Sequence, residues 1–370
     1  MNQVWSCEVR SFLTVCLTLS FLPIAHAQEP VRAWQGNRTV VQSKHLVPVV
    51  KDGEGYGEKY TFDAKFGDRG SFYFSMAIAN LGIGDKKMEA KGRLTLDGKV
   101  IRWKQKLAAG EWSFNASPLS IKAGSAELSG EPQELKFSVK AEGHVLTATM
   151  KAVAQPWRPR NGQVLFGKSR KATDFTIFPL GNVELTLTKP DGSAVTVTGI
   201  GYGARSWSEI AVYEQSRASL EFRGIDGDKT IYIREIMPSK EYSQKRVAYL
   251  LITKGDQILV ESFDFELDVQ DTYVDSEHPN QYRVPVSVNI MGQDAEDKAR
   301  LVRGRLVKNK LRKRKDILAS MNSIVRMVAK RYSQPVSYSY DTDYLFEVKL
   351  GDKVESLSGL GRYEFYHWKK

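Results

Sequence analysis

Most of this chain alternates apolar and polar residues over short stretches, each closed by a turn signal. Residues 59–64, 88–96, 100–106, 134–140 and 144–151 follow this pattern, with turns at Gly67-Asp68-Arg69-Gly70, Asp97-Gly98 and Glu142-Gly143. A period of two places every second side chain on one face, which suits a half-buried strand and not a helix. A second run begins near residue 182. It continues through 194–202, 218–223, 230–237, 248–253, 257–269, 285–291, 344–350 and 358–367. Strands joined in sequence by tight turns form antiparallel meanders, which close as barrels or sandwiches. The expected fold is all-β: two consecutive antiparallel β-barrels. The segment Gln155-Pro156-Trp157-Arg158-Pro159-Arg160-Asn161-Gly162 reads as a loop, either a turn at a barrel mouth or a binding loop. The division is expected just after it, giving barrels over 28–171 and 172–370.

Residues 1–27 read as a signal peptide. Arg10 precedes an apolar run over 11–25 that is too short to span a bilayer, and Ala25-His26-Ala27 fits a cleavage site. The chain is therefore expected to be exported, to the periplasm or beyond. Cys7 and Cys16 are its only cysteines and both lie in this leader. The exported part would have no disulfide and no thiolate ligand, and must rely on its apolar core. The formal net charge is +11.

One segment breaks the strand pattern. Residues 300–315 hold nine Lys or Arg and no acid. Asp316 can cap a helix, and Ile317, Met321, Ile324, Val325 and Val328 then recur at helical spacing. A basic amphipathic helix is expected over about 316–332. It would plug a barrel end, dock on an anionic membrane, or do both, with Arg312, Lys313, Arg314, Lys315, Arg326 and Lys330 as the contacts. No nucleic-acid motif accompanies the run, so nucleic acid is not an expected partner.

No catalytic constellation stands out. His45, His144, His278 and His367 are far apart in sequence, and none has metal-ligand spacing, so neither metal nor cofactor is expected. There is no nucleophile elbow, P-loop or zinc-protease motif.

The densest stretch of special residues is Thr198-Gly199-Ile200-Gly201-Tyr202-Gly203-Ala204-Arg205-Ser206-Trp207-Ser208-Glu209. It resembles the G-x-G-Y-x-D-H-x-W-G segment of the lipocalin-like superfamily. That superfamily joins carotenoid hydratases, AttH-type proteins and the yeast survival-factor ceramide-transfer proteins. Gly199, Gly201, Tyr202 and Trp207 match. The Asp-His pair is replaced by Ala204-Arg205 and the last glycine by Ser208. The hairpin over 219–234, ending in Arg234, and Gly359-Leu360-Gly361-Arg362-Tyr363-Glu364 are also similar to this superfamily. Residues 72–85 resemble the ceramide-transfer group. The resemblance implies two linked lipocalin-like barrels with apolar lumens.

Hydration needs a proton donor and a base, and Ala204-Arg205 supplies neither. The first reading is therefore a non-catalytic carrier of a lipid or other apolar small molecule, with a sphingolipid-like cargo implied by the resemblance. Tyr202, Arg205, Trp207, Glu209 and Arg234 would contact the ligand. Arg205 suits a headgroup, or it pairs with Glu209 or another acid to close the barrel end. The second reading is a hydratase- or cyclase-like enzyme with a relocated acid, for which Glu209, Glu221 and Glu235 are candidates. The third is a sealed barrel that binds other proteins.

Overall fold

The computed structural model describes residues 30–80, 85–242, 246–320, 326–327, 330 and 333–368. The expected leader, residues 81–84 of the early stretch likened to the ceramide-transfer group, and most of the expected helix lie outside the described residues.

Two antiparallel sheets hold nearly all of the described chain. The first runs from Val31–Ala33 to Ala194–Ser208 and has thirteen strands; the second runs from Ser216–Asp226 to Lys353–His367 and has nine. Together they form a nearly closed barrel and a half-barrel, linked by the four-residue helix Val212–Gln215. The alternation works as read. In Gly57–Lys65, the side chains of Glu58, Tyr60, Phe62 and Ala64 are buried while Lys59, Thr61, Asp63 and Lys65 face the other way. The Asp97-Gly98 turn has φ of 48° and 80° at its two residues, the twist that joins neighbouring strands without splaying them.

The first lumen is packed with aromatic rings. Phe137 lies 4.7 Å from Phe62 and 5.2 Å from Phe74, centroid to centroid. The residual gap among Leu46, Tyr60, Phe62, Leu119, Leu128, Leu135 and Phe178 has no room for a water molecule. In the second sheet Phe222, Tyr344 and Phe346 form the corresponding cluster.

Three features differ from the sequence reading. The expected division at 171/172 falls inside the first sheet. Lys171–Thr188 and Ala194–Ser208 are bonded into it, the latter also pairing with Gly57–Lys65. Residues 172–181 are buried throughout, since one face lines the first lumen and the other meets the second sheet. Pro179 lies where the register slips between Phe178 and Gly181, a place where a missing N–H is tolerated. Second, the basic run Arg300–Lys315 is itself almost entirely strand. Leu301–Asp316 is a strand, bonded on both sides, and its alternation had been hidden by its charges. A 3-10 turn over Ile317–Ser320 follows, with Asp316 accepting the Leu318 N–H at 2.9 Å. Of the remaining residues to 332, only Arg326, Met327 and Lys330 are described, in helical conformation, so the inserted helix is not established. Third, the Gln155–Gly162 loop is no exposed mouth. It runs between the sheets, where Trp157 bridges to Ile177 and Arg158 is buried.

Candidate functional site

The central stretch forms a strand, so its residues point alternately to two places. Gly203, Arg205 and Trp207 face the first lumen, opposite Phe62, Tyr60 and Glu58. Tyr202 and Ala204 face the second sheet. Gly203 is required there: a Cβ would sit 2.2 Å from the Phe62 ring.

Arg205 is the keystone of a buried ionic cap on the first lumen. Its Nε and one terminal nitrogen donate to Glu58 Oε1 at 3.0 and 2.6 Å, and that nitrogen also donates to the Val47 carbonyl at 2.9 Å. Its other nitrogen lies 3.7 Å from Asp174, which pairs with Arg158. Glu58 is saturated. Tyr56 donates at 2.6 Å, the Val49 N–H at 2.9 Å, and Tyr60 lies 2.7 Å from it while sharing its proton with the Leu46 carbonyl. Burial disfavours charge on Arg205, but Tyr60, Glu58 and Asp174 together outweigh it and hold the guanidinium protonated. Burial lifts Asp174 to about 6 against the pull of Arg158 and Arg205. His45 beside this cap drops to about 4, through burial and the same two arginines.

The partner of Arg205 is thus Glu58 and not Glu209. Glu209 lies 2.6 Å from Lys51 and accepts the Ala172 N–H at 2.7 Å; these outweigh burial and keep its carboxyl below the usual range. Trp207 is buried beneath Lys51, 5.1 Å from its ring. Arg205, Trp207 and Glu209 therefore belong to one barrel end, whereas Tyr202 and Arg234 belong to a second assembly.

That second assembly lies between the sheets. The Tyr202 hydroxyl donates to Asp63 at 2.6 Å, and the Arg223 guanidinium stacks on the Tyr202 ring at 3.7 Å. Arg223 is surrounded by three carboxylates: Glu221 at 3.4 Å, Asp63 at 3.6 Å and Glu364 at 3.9 Å. Glu221 and Glu364 are directly opposite across adjacent strands. Arg234 donates to Glu221 at 3.0 Å and stacks on Phe175. Tyr366 donates to Glu364 at 2.6 Å. Burial, reinforced by the charge of Glu364, raises the carboxyls of both Glu221 and Asp63 against their arginines. Around this charge lies an aromatic wall: Tyr232 stacks on Tyr249, which meets Trp34 and Trp157 edge-on. The cluster retains partial access to solvent, with the Asp63 side chain 39% exposed. Three carboxylates here face two guanidiniums, Arg223 and Arg234, and the uncompensated negative charge adds to burial in favouring the neutral forms of Glu221 and Asp63.

Glu235, the remaining candidate acid, faces the second lumen. Arg246 lies 3.5 Å away, and burial raises its carboxyl. Of the expected membrane contacts, Arg312 is held by Asp341 at 2.5 Å and Arg314 by Asp275 at 2.7 Å, while Lys313 and Lys315 are exposed. Sequence reasoning missed Glu58, Asp174, Asp63, Arg223 and Glu364. For Glu58 and Asp174 a signal existed: a charged residue on the apolar parity of a strand. For the other three nothing marked one outward face as covered by the second sheet.

No protein-family model matches this chain, and no curated protein matches it in sequence. Solved structures do. CghA crystallised with Sch210972 has a TM-score of 0.58 at 12% identity, over 92% of this chain and 97% of that one. An AttH-like protein from Nitrosomonas europaea has 0.52 at 13%, over 85% and 93%. Kievitone hydratase from Nectria haematococca gives 0.48 at 11%, over 92% and 97%. The fold of CghA and of the AttH-like protein is thus shared by this chain over most of its length.

Proposed function

We propose that this exported protein binds an apolar small molecule at the partly solvent-accessible Asp63–Glu221–Glu364 cluster in the layer between its two sheets and protonates it from there. The observation that carries the reading is the direct opposition of Glu221 and Glu364, partly buried beside Tyr202. A carboxyl kept neutral there can donate its proton to one carbon of a double bond, leaving a cation at the other. Water then adds to the cation and returns a proton to the carboxylate, which is hydration; capture by a second double bond of the same molecule, with loss of a proton to the carboxylate, is cyclisation. Aromatic rings of both sheets near the cluster, Tyr202 from the first and Tyr232 and Tyr249 from the second, suit a developing cation. The acid lost at Ala204-Arg205 is thereby relocated to the neighbouring sheet.

The carrier reading, with a sphingolipid-like cargo, shares the ligand class but needs an open lumen. The aromatic packing of the first lumen argues for the inter-sheet cluster instead. The test is incubation of the full-length exported protein with isoprenoids and unsaturated lipids in heavy-oxygen water, read by mass spectrometry. Product with one added water, or a ring-closed isomer, is expected from wild type. Glu221→Gln and Glu364→Gln should each lower turnover at least about a hundredfold with the fold retained. Stoichiometric retention of unchanged lipid would favour the carrier; turnover unaffected by both substitutions would remove the cluster from the chemistry.

A further inference from the structure

The second lumen contains an amine that nothing in the fold explains. Lys308 lies on Leu301–Asp316 with the inward parity of Val302 and Leu306, and its Nζ is buried without a hydrogen-bond partner. It sits over three tyrosine rings: Tyr340 at 4.0 Å, Tyr363 at 4.9 Å and Tyr273 at 5.8 Å from the centroids. No carboxylate pairs with it among the described residues. Burial alone lowers its pKa to about 7. Two neighbouring hydroxyls share this condition. Thr342, directly opposite Lys308 across the strands, and Tyr363 each have a buried oxygen with no partner. A buried donor left unpaired is destabilising, and three together on adjoining strands call for a shared acceptor.

We propose that Lys308, Thr342 and Tyr363 form the anchor for the anionic head of a single-chain amphiphile. The chain of such a ligand would lie toward the edge strand Phe265–Val274, against Leu267 and Tyr273, which are only partly buried. An oxyanion can accept from the ammonium and both hydroxyls, which satisfies all three donors at once. The tyrosine faces favour the protonated amine, so binding completes an ion pair already held in register. Entry is from the sheet's edge: Tyr273 is half-buried and belongs to the edge strand Phe265–Val274, whose hydroxyl bonds to that of Tyr340. This site is separate from the carboxylate cluster on the other face of the sheet.

The test uses calorimetry on the full-length protein with palmitic acid, hexadecanol and hexadecyl phosphate. Palmitic acid or the phosphate should bind wild type at least about tenfold more tightly than the alcohol. Which of the two is preferred tells a carboxylate head from a phosphate head. Lys308→Met should abolish the preference while leaving alcohol binding unchanged, and Lys308→Arg should restore part of it. Equal affinity for acid, phosphate and alcohol, a preference that survives in Lys308→Met, or no binding of any of the three would overturn the proposal. Circular dichroism of both variants confirms that the sheet is intact.

Discussion

Arg205 and Lys308 are both inward-facing cations at the polar end of a β-lumen, and the two sheets treat them in opposite ways. Arg205 meets Glu58, Asp174 and a backbone carbonyl, and two tyrosines complete the shell around Glu58. Lys308 meets only ring faces. The first arrangement is closed: any ligand head would have to displace a saturated ion pair. The second is unfinished, and so receptive. Arg205 is therefore part of a structural seal at one end of the first lumen.

The contrast can be tested by breaking each centre. Arg205→Met strands Glu58 in the core and should cost about 3–5 kcal/mol in urea unfolding. Stability equal to wild type would show that the cap does not close the first sheet. Lys308→Met should act in the opposite direction, raising stability at pH 7 by about 1–3 kcal/mol by removing an unpaired buried charge. Here the sign with pH is diagnostic. The folded-state pKa of Lys308 lies near 7 and the ordinary value is 10.5, with Tyr273, Tyr340 and Tyr363 as the groups facing it. Between these values the unfolded chain holds the extra proton, so wild type gains stability as pH rises from 7 toward 10.5. The advantage of Lys308→Met should shrink over that window, and parallel curves would sink the idea. Asp174→Asn should have the smallest effect. Burial raises Asp174 from 3.8 to about 6, so the folded state holds the extra proton between these values. Wild-type stability should fall across that window by on the order of 1–2 kcal/mol, and the slope should flatten in the variant, as pH-dependent thermal melts would show.

Much of the fold was legible because strand alternation reports burial on one face at a time. The 59–64 strand and the Asp97-Gly98 hairpin follow directly from it. It failed where a strand is buried on both faces, as over residues 172–181, and where charges overlie the alternation, as in 301–316. In the latter, Val302 and Leu306 still mark the inward parity, but eight cations in sixteen residues read as a helix flank. The site was legible only in part. Tyr202 and Arg234 do reach the inter-sheet layer, and Glu221 was among the candidate acids. Glu364, Asp63 and Arg223 came from positions that look like ordinary solvent-facing charges until the second sheet is laid over them. Arg205 was resolved by Glu58, which is 147 positions away in sequence.

The pairing of Gly57–Lys65 with Ala194–Ser208 sets a timetable for the chain. The first sheet cannot be completed until residue 208 is available, and Trp34 waits longer still, since its indole donates to the carbonyl of Ala248, 214 positions on. Pairings of this separation must overcome loop closure before they yield any contact energy, so the early strands spend the longest time as exposed, unpaired edges. During synthesis, chain emergence and not local hairpin formation should therefore govern when this molecule first becomes resistant to proteolysis.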